Sequence, residues 1–385
     1  MKIFFLSKDA NWQHYRNEVL SYLARKNNAT VKILTTGELK PHLKDNEVLK
    51  YKIFNNWFSN AGKLNFFPSA IWYILKNRPD CVLALNNSTN LTEYLCVILC
   101  RLMGIRFVWW THGYDHKPNK SSFKQGLKNS YTSLFLKFAN AVIVFSESGK
   151  AYLVKKGIGV KKIFVAPNTL DTDKLAGVKN RLESVFNRTE FIHEKFPNVP
   201  TDSRFILFSG RINHYKKVHN LIECLALTSK DRNDIHIVII GDGAKSAEVK
   251  GLTKELGLES NVHFLGSIFD DEEVAKYFLL SDLFIIPGLV GLAIVHAFSY
   301  GKPLITEDIS YHSPEIQYLI DGENGYFVPE DDVQKMADLI LKSLANEAEL
   351  QRLSKNALMT VQKSASIKNM TDSMYLALSG GDVKK

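Results

Sequence analysis

FILFSGRINHYKK, residues 205–217, begins with an apolar strand, breaks at a glycine and continues with cations. The apolar run 205–208 is typical of a buried strand, and Gly210 ends it. Arg211 follows at once, and Lys216 stands just before an amphipathic helical pattern. This arrangement suits an anion, because the helix N-terminus adds partial positive charge to the two side chains. A turn with two solvated cations is the alternative interpretation.

Strand and helix alternate in this way along the whole chain. The predicted strands before residue 171 are Lys2–Leu6, Val31–Leu34, Cys81–Leu85, Arg106–Trp110, Ala141–Phe145 and Ile163–Ala166. The predicted strands after residue 202 are Phe205–Phe208, Ile235–Ile240, Val262–Leu265, Leu283–Ile286, Pro303–Thr306 and Tyr326–Val328. Their apolar residues run continuously, which is typical of parallel sheets covered by helices on both faces. We therefore predict an α/β fold with two doubly wound domains.

The length of the chain and a loosening of this pattern predict the domain boundaries. A chain of 385 residues is too long for one ordinary core. The charged, Pro-containing stretch 172–202 is predicted as a linker between an N-terminal domain, 1–171, and a C-terminal domain, 203–362. Residues 363–385 are predicted to form a last helix and a tail that pack back toward the N-terminal domain. Because ligands of such folds bind at the carboxyl ends of the strands, we expect the site in a cleft between the domains.

The formal net charge is +9, with 45% hydrophobic and 23% charged residues. This composition is typical of a globular protein, and the positive charge favours an anionic partner. Nucleic acid, anionic lipid headgroups and a phosphorylated small molecule all agree with the charge alone. Because helix-turn-helix and zinc-finger signatures are missing, we expect no nucleic acid partner.

The four cysteines, Cys81, Cys96, Cys100 and Cys224, lie in apolar runs and form no CxxC pair. We interpret them as reduced core residues, which are typical of cytoplasmic proteins. The first residues turn polar too early for a signal peptide, and no apolar stretch approaches the roughly 18–20 residues of a membrane span. The sequence therefore predicts a cytoplasmic location.

The segment Lys40–Asn77 mixes lysines with bulky aromatic residues. The residues concerned are Lys40, Lys44, Lys50, Lys52, Lys63, Phe54, Trp57, Phe58, Phe66, Phe67, Trp72 and Tyr73. Such a mixture suits an anionic membrane surface, and we hypothesise peripheral attachment to the cytoplasmic face of a membrane. The alternative is that the aromatic residues pack into the core of the first domain.

Several common catalytic motifs are missing. The place of a dinucleotide-binding G-x-G-x-x-G after the first strand reads SKDANW, without a glycine. Neither the GxxxxGK[ST] phosphate loop nor the HExxH metal motif occurs. His112 and His116 share a predicted loop that offers no third ligand, so we expect no metal ion and no other cofactor.

Two further strand ends have features of a binding site. His112 follows the predicted strand 106–110 and precedes Gly113, which allows a close backbone approach. Gly288–Leu292 (GLVGL) follows the predicted strand 283–286 and opens an apolar helix, where backbone amides can hold a phosphate. A loop histidine bonded to backbone and a tight strand-to-helix turn are the alternatives.

Together, a set of motifs resembles the donor-binding half of glycosyltransferase family four. The motifs are SGRINHYKK, IVIIGDG, NVHFLG, GLVGLAIVHAFSYGKPLIT and DGENGYFVPEDD, and they span nearly all of Phe205–Leu344. The first half matches more thinly, through THG at His112, SESGKAYL and IFVAPNTLDTDKL. The resemblance implies two Rossmann-like domains that face each other across a cleft, the GT-B architecture, with the N-terminal domain on the acceptor side.

The resemblance also implies roles for particular residues. Arg211 and Lys216 would bind the diphosphate of a nucleotide-sugar donor, and His112 would line the sugar at the point of transfer. The donor-binding residues would be Gly210, Gly288, Gly291, Leu292 and His296. Members of this family retain anomeric configuration and need no metal ion, which agrees with cations placed at the phosphate.

Three places depart from the family pattern. Two glutamates are common in the loop and helix where this sequence has Gly288 and His296. A histidine can hydrogen-bond a ribose diol, whereas glycine offers no side chain to a sugar hydroxyl. Lys217 replaces the usual glycine after the lysine, and Asn168-Thr169 replaces Asn-Gly at the hinge. The identity of the donor therefore does not follow from the resemblance.

The leading hypothesis is a retaining, metal-independent glycosyltransferase of the hexosyltransferase type. It would move a sugar from a nucleotide-sugar donor to a glycan or lipid-linked acceptor, by family analogy in bacterial surface-polysaccharide assembly. A nucleotide-sugar epimerase of the same architecture would break the same bond and return the sugar to the same nucleotide. A non-catalytic nucleotide-sugar-binding protein is the third hypothesis, because the two glutamates are absent.

Overall fold

The structure, a computed structural model, describes residues 1–8, 14–37, 47–57, 65–113 and 132–381. The chain forms two compact units, one of Met1–Asp171 with Ile367–Lys385 and the other of Thr172–Ser366. Each unit contains one parallel sheet, and helices stand between most of its consecutive strands in the described residues. The predicted α/β class, with two doubly wound, Rossmann-like domains, is confirmed.

The first unit contains a seven-stranded parallel sheet. Its strands are β1 (Lys2–Leu6), β2 (Thr30–Thr36), β3 (Leu49–Phe54), β4 (Cys81–Ala84), β5 (Arg106–Thr111), β6 (Ala141–Val144) and β7 (Ile163–Val165). Their order across the sheet is β3-β2-β1-β4-β5-β6-β7, so the strand order reverses between β1 and β4. The described residues of all seven strands pair in parallel, which brings their carboxyl ends to one edge.

Helices cover both faces of this sheet. They are α1 (His14–Lys26), α2 (Pro68–Asn77), α3 (Leu91–Leu102), α4 (132–138), α5 (Glu147–Lys155) and, from the end of the chain, α14 (Ile367–Ser379). One core lies between the sheet and α1 with α14, and the other lies between the sheet and α2 to α5. Met370 and Met374 of α14 are fully buried in the first core, and Lys26 of α1 pairs with Asp372 at 2.5 Å.

The second unit contains a six-stranded parallel sheet with the order β10-β9-β8-β11-β12-β13. Its strands are β8 (Arg204–Ser209), β9 (Ile235–Ile240), β10 (Val262–Gly266), β11 (Leu283–Ile285), β12 (Leu304–Glu307) and β13 (Gly325–Val328). Its helices are α6 (Thr172–Glu183), α7 (Arg188–Lys195), α8 (Val218–Thr228), α9 (Ser246–Glu255), α10 (Asp271–Leu280), α11 (Ala293–Ser299), α12 (Val333–Ala345) and α13 (Glu347–Lys363). The strand order reverses between β8 and β11, so the loops after these two strands meet at the carboxyl edge.

The stretch 172–202 is not a linker, and this part of the domain prediction is wrong. It contains α6 and α7, which belong to the second unit. Asn187 caps α7 by accepting hydrogen bonds from the amides of Thr189 and Glu190. Phe191 and Ile192 are buried, so two apolar residues and a good cap stabilise a helix in a sequence that is mostly polar.

Two other elements differ from the sequence prediction. The strand β3 was not predicted, because its lysines interrupt the apolar run and only one side of this edge strand is covered. The sequence pattern over 330–362 predicts a strongly helical stretch, and the structure divides it into two helices, since Asn346 ends α12 and its side chain accepts a hydrogen bond from the amide of Glu349 to cap α13.

The aromatic residues of Lys40–Asn77 divide between core and surface. Phe67 is fully buried and packs against Phe54, whereas Trp57 and Trp72 are each 70% exposed. Residues 38–46 and 58–64, which include part of the proposed membrane surface, lie outside the described residues. All four cysteines are buried and unpaired. No helix in the described part of the chain has the length and apolar character needed to cross a membrane.

Candidate functional site

The loop after β8 forms a capped turn that holds the two predicted cations. Gly210 has φ +155°, and Asn213 then accepts hydrogen bonds from the amides of Tyr215 at 3.0 Å and Lys216 at 3.2 Å. The turn His214–Lys216 ends at Lys217, which takes a left-handed conformation at φ +49° before α8 begins. Glycine, which the family usually has at this position, adopts a left-handed backbone conformation without strain. A lysine does not, so contacts of its side chain must stabilise Lys217 there.

Glycines after β9 allow the neighbouring loop to touch this turn. A Cβ atom on Gly241 would lie 2.0 Å from the Gly210 carbonyl oxygen, and one on Gly243 would lie 2.2 Å from that of Ile212. The amide of Ile212 donates to the Asp242 carbonyl at 3.0 Å, so backbone contacts backbone directly. The motif IVIIGDG entered the family resemblance, but Gly241 and Gly243 were not predicted as site residues.

The loop after β11 joins the same turn by backbone hydrogen bonds. Gly288 donates to the Lys216 carbonyl at 3.0 Å, and Leu289 donates to that of Tyr215 at 2.7 Å. A Cβ atom on Gly288 would lie 2.0 Å from the Tyr215 carbonyl oxygen. This contact explains why a glycine stands where the family commonly has glutamate, since any side chain would separate the two loops.

His312 fixes the other end of this loop, and the sequence analysis missed it. Its Nδ1 accepts a hydrogen bond from the Val290 amide at 3.0 Å, and its Nε2 donates to the Glu307 carbonyl at 2.8 Å. Burial lowers the pKa of His312, and the nearby charge of Lys216 acts in the same direction. The ring is therefore neutral at neutral pH, which is the form that can accept the Val290 hydrogen bond.

These contacts decide which amides of the loop remain for a ligand. Those of Gly288, Leu289 and Val290 are used within the protein. The amides of Gly291 and Leu292 have no hydrogen-bond partner among the described residues. The sequence assigned amides from the whole of GLVGL to a phosphate, and the structure narrows this set to its last two residues.

Lys216 lies against the loop after β11. Its Nζ donates to the Leu289 carbonyl at 2.5 Å, and its Cε lies 3.8 Å from the position of a Cβ on Gly210. Burial lowers the pKa of Lys216 to about 8, an effect that the charge of Glu315 opposes. The ammonium is thus charged at neutral pH but poorly solvated, so an anion placed beside it would be attracted strongly.

Arg211 is exposed at the mouth of the turn. Its guanidinium makes no hydrogen bond or ion pair with any residue that the structure describes. Arg211, Lys216 and Gly210 therefore lie in the turn after β8, which is joined to the loop that contains Gly288, Gly291 and Leu292. Arg211 carries its charge in an exposed position, and Lys216 carries its charge in a partly buried one.

His296 packs against aromatic rings. Its ring lies 4.4 Å from that of Phe278 and 5.6 Å from that of Tyr300, centroid to centroid. Burial lowers the pKa of His296 to about 4. Its Nε2 is buried without a hydrogen-bond partner in the described part of the chain. In this arrangement His296 is a packing residue of α11.

Lys217 is held by a cluster of carboxylates. Its Nζ donates to Glu307 at 2.8 Å, Glu330 at 2.9 Å and Asp331 at 2.7 Å. Asn220 donates to Glu307 at 2.6 Å, and Glu307 is only 1% exposed. The hydrogen bonds from Lys217 raise its pKa well above the ordinary value, although burial acts against them. Lys217 thus ties the turn to the end of β12 and is not available to a donor phosphate.

His112 belongs to the first unit, at the carboxyl end of β5. It is exposed, and its ring lies 4.7 Å from that of Phe145. Gly113 has φ +86°, and a Cβ atom on Gly149 would lie 2.9 Å from the His112 carbonyl oxygen. The close backbone approach expected at Gly113 is present, because a Cβ atom there would lie 3.1 Å from the Gly149 backbone, and Gly149 permits the approach from the other side. His116 lies outside the described residues.

Among the residues described, no group of three or more His, Cys, Asp or Glu side chains is placed to hold a metal ion.

Two family models match the chain. The model described as Glycosyltransferase Family 4 matches residues 16–174, and the model described as Glycosyl transferases group 1 matches residues 189–359. The first match lies almost wholly in the first compact unit, and the second match lies in the second unit.

Individual proteins are similar over shorter or longer stretches. D-rhamnosyltransferase WbpZ of Pseudomonas aeruginosa is 36% identical over 131 residues, which are 33% of this chain and 32% of that protein. Poly(glycerol-phosphate) alpha-glucosyltransferase of Bacillus subtilis is 22% identical over 253 residues, 64% of this chain and 34% of its own. The chain thus matches about a third of the length of each.

A solved structure matches over nearly the whole length. The crystal structure of Anabaena Alr3699/HepE in complex with UDP superposes with a TM-score of 0.75 at 18% identity, covering 99% of this chain and 100% of that one. At this identity the similarity establishes the fold.

The contact at Gly288 predicts a large difference between two glycines of one loop. We expect Gly288→Ala to lower the free energy of unfolding by about 1–3 kcal/mol, because the new methyl group must push the Tyr215 carbonyl away. In Gly291→Ala the nearest atom is the Ser313 hydroxyl at 3.5 Å, an ordinary contact, and we expect a change within about 0.5 kcal/mol. Urea unfolding of both variants measures the difference, and equal stabilities would contradict the contact.

The carboxylate cluster predicts the effect of removing Lys217. We expect Lys217→Met to cost about 2 kcal/mol of stability, because the buried Glu307 loses its cation. Adding Glu307→Gln should recover part of the loss by removing the uncompensated charge. The matched control is Lys245→Met, which breaks only an exposed pair with Glu248. Thermal and urea unfolding test the set, and a loss in Lys217→Met no larger than in the control would refute the role of the cluster.

Proposed function

This chain belongs to the GT-B glycosyltransferases of the family 4 type, and on that basis we propose that it moves a sugar from a nucleotide-sugar donor to a glycan or lipid-linked acceptor. The observation on which the proposal depends is the pair of joined loops that offers Arg211, Lys216 and two unused amides at one strand edge. These groups form a site for a diphosphate.

The proposed chemistry follows from where charge develops. When the bond between the sugar and the nucleoside diphosphate breaks, negative charge grows on the departing phosphate. Arg211, Lys216 and the amides of Gly291 and Leu292 would stabilise that charge more in the transition state than in the ground state. Positive side chains would then do the work that a metal ion does in other enzymes, so we propose transfer without a metal. We also propose, from the family resemblance, that configuration is retained and that His112 lines the sugar.

The similar proteins support the class of reaction. The relatives bear the names of bacterial transferases of rhamnose and glucose, and the HepE structure was solved with UDP. We therefore propose a role in bacterial polysaccharide assembly and take UDP-sugars as the first donors to test. A cytoplasmic location agrees with four buried, unpaired cysteines.

The contacts of the donor site bear on its specificity. With Gly288 in a backbone contact and His296 packed on aromatic rings, neither supplies a side-chain group to the donor. We propose that sugar and ribose are held by backbone and by other residues of the site, in place of the two family glutamates.

The two cations provide the direct test of transfer. We expect Arg211→Ala and Lys216→Ala each to lower the rate about 10²–10³-fold, because each removes positive charge from the departing phosphate. Lys250→Ala, an exposed cation on α9, is the matched control and should leave the rate unchanged. The measurement is sugar transfer from labelled UDP-sugars to extracted acceptors, with circular dichroism to verify the fold. Turnover near that of the unmodified protein in both variants would remove the diphosphate site.

The lowered pKa of Lys216 predicts a pH dependence. Since the free ammonium has a pKa of about 8, deprotonation above that pH removes a cation and weakens binding of UDP. Bound diphosphate favours the charged form, so the dissociation constant should rise by up to about tenfold per pH unit until the pKa of the complex is reached. Calorimetry across about pH 7 to 10 measures this, and Lys216→Arg should flatten the profile because arginine stays charged. A flat profile in the unmodified protein would contradict the assignment.

A donor-only incubation separates transfer from epimerisation. A new nucleotide sugar formed without any acceptor would indicate an epimerase, whereas donor binding without transfer to any extracted acceptor would indicate a binding protein.

A further inference from the structure

The outer side of α3 is apolar although it faces solvent. Leu91, Leu95, Ile98 and Leu102 repeat at helical spacing, and they are between 37% and 77% exposed. We call these four residues the α3 ridge. The only carboxylate of α3, Glu93, is buried at 1% exposure and accepts hydrogen bonds from Asn87 and Asn90. A helix that is apolar on all sides is normally covered, so the ridge indicates a docking surface.

Cations collect at the C-terminal end of the ridge. The segments 101–105, 136–140 and 154–162 lead into β5, β6 and β7, which pair side by side. These segments contain Arg101, Lys137, Lys155, Lys156, Lys161 and Lys162 but no aspartate or glutamate. We call these six residues the basic end.

Contacts join three cations of the basic end, one from each segment. Lys162 donates to the carbonyls of Lys137 at 3.2 Å and Ala139 at 3.1 Å. Burial lowers the pKa of Lys162, and the charge of Arg101 lowers it further. None of the six cations forms an ion pair with a described residue. Their charges therefore repel one another and remain available to an external anion.

Apolar side chains are exposed among these cations as well. Leu102 is 77% exposed, Met103 40%, Phe138 40% and Val160 56%. Positive charge interspersed with exposed aliphatic groups is what the boundary between anionic headgroups and acyl chains accommodates.

We propose that the α3 ridge and the basic end form a docking surface for an anionic lipid bilayer. A nucleic acid would engage the cations but leave the apolar ridge in water. A second copy of this chain, paired through the same face with the two α3 helices parallel, would bring the six cations against six others, which is unfavourable. The surface differs from the segment Lys40–Asn77 that the composition suggested.

The geometry of the first unit agrees with this partner. The helix α3 begins at the carboxyl edge of the sheet, after β4, and ends at the amino edge, before β5. A bilayer along α3 would therefore reach the edge at which His112 lies. The inference does not depend on the sugar transfer proposed above, since vesicle binding and donor binding are measured separately.

Vesicle flotation tests the surface with two variants and two matched controls. The charge variant is Arg101→Gln with Lys137→Gln and Lys161→Gln, and its control is Lys230→Gln with Lys250→Gln and Lys254→Gln, three exposed cations of the second unit. The ridge variant is Leu102→Gln, and its control is Val185→Gln, whose side chain is 75% exposed. The probes are vesicles of phosphatidylcholine alone and of phosphatidylcholine mixed with phosphatidylglycerol.

We expect the unmodified protein to bind only the vesicles with phosphatidylglycerol, and less at high salt. Each cation removed should lower the partition coefficient about fivefold, so the charge variant should lose about 100-fold. Leu102→Gln should lose about tenfold, because its side chain no longer enters the apolar layer. Both controls should stay within about twofold. Melting temperatures and UDP binding, measured on the same samples, report whether each variant is folded.

Three outcomes would overturn the proposal. The first is an unmodified protein that binds neither kind of vesicle at low salt. The second is a charge variant that loses no more binding than its control. The third is unchanged vesicle binding in Leu102→Gln together with full displacement by heparin or duplex DNA, which would indicate a general polyanion site.

Discussion

The candidate site depends on one backbone contact, in which the loops after β8 and β11 touch with no side chain between them. Gly288 and Leu289 donate to the carbonyls of Lys216 and Tyr215, and this pairing uses the first amides of the second loop. The amides without a partner among the described residues are then those of Gly291 and Leu292, which directly precede α11. The same contact brings the Leu289 carbonyl to the ammonium of Lys216. The positions of these two amides and of the Leu289 carbonyl beside Lys216 therefore depend on the absence of a Cβ atom at residue 288.

Most strands of the fold were predictable because they are buried on both faces and so read as continuous apolar runs. The strand Ile235–Ile240 has the predicted bounds, and all six of its residues are buried. Where burial is one-sided the signal fails, as in β3 with its lysines. It also fails where a helix depends on a cap and few apolar residues, as in α7, because those contacts lie in another part of the chain. The local sequence pattern predicts a helix or strand only when most of the buried residues that stabilise it belong to that element.

The same distinction applies to the site. Arg211 and Lys216 could be located because a strand end and a helix start are local features of the sequence. His312 and Glu307 could not, since their roles depend on a loop that reaches them only in the folded sheet. His296 is the opposite case. A family position suggested a ligand contact, but the side chain that occupies it in this chain packs against Phe278.

Net charge describes such a protein poorly, because the surroundings of each cation decide what it can bind. Lys216 and Lys217 are neighbours in sequence, yet burial lowers the pKa of the first to about 8 and three carboxylates raise that of the second. The ammonium of Lys217 is already paired with these three carboxylates, so it stabilises the turn and is not available to a further anion. Lys216 bonds only to a carbonyl and retains its full charge. The positive charge that can bind an external anion is therefore the part left unpaired, and among the described residues this part includes Arg211 and Lys216 at one strand edge and the basic end of the first unit.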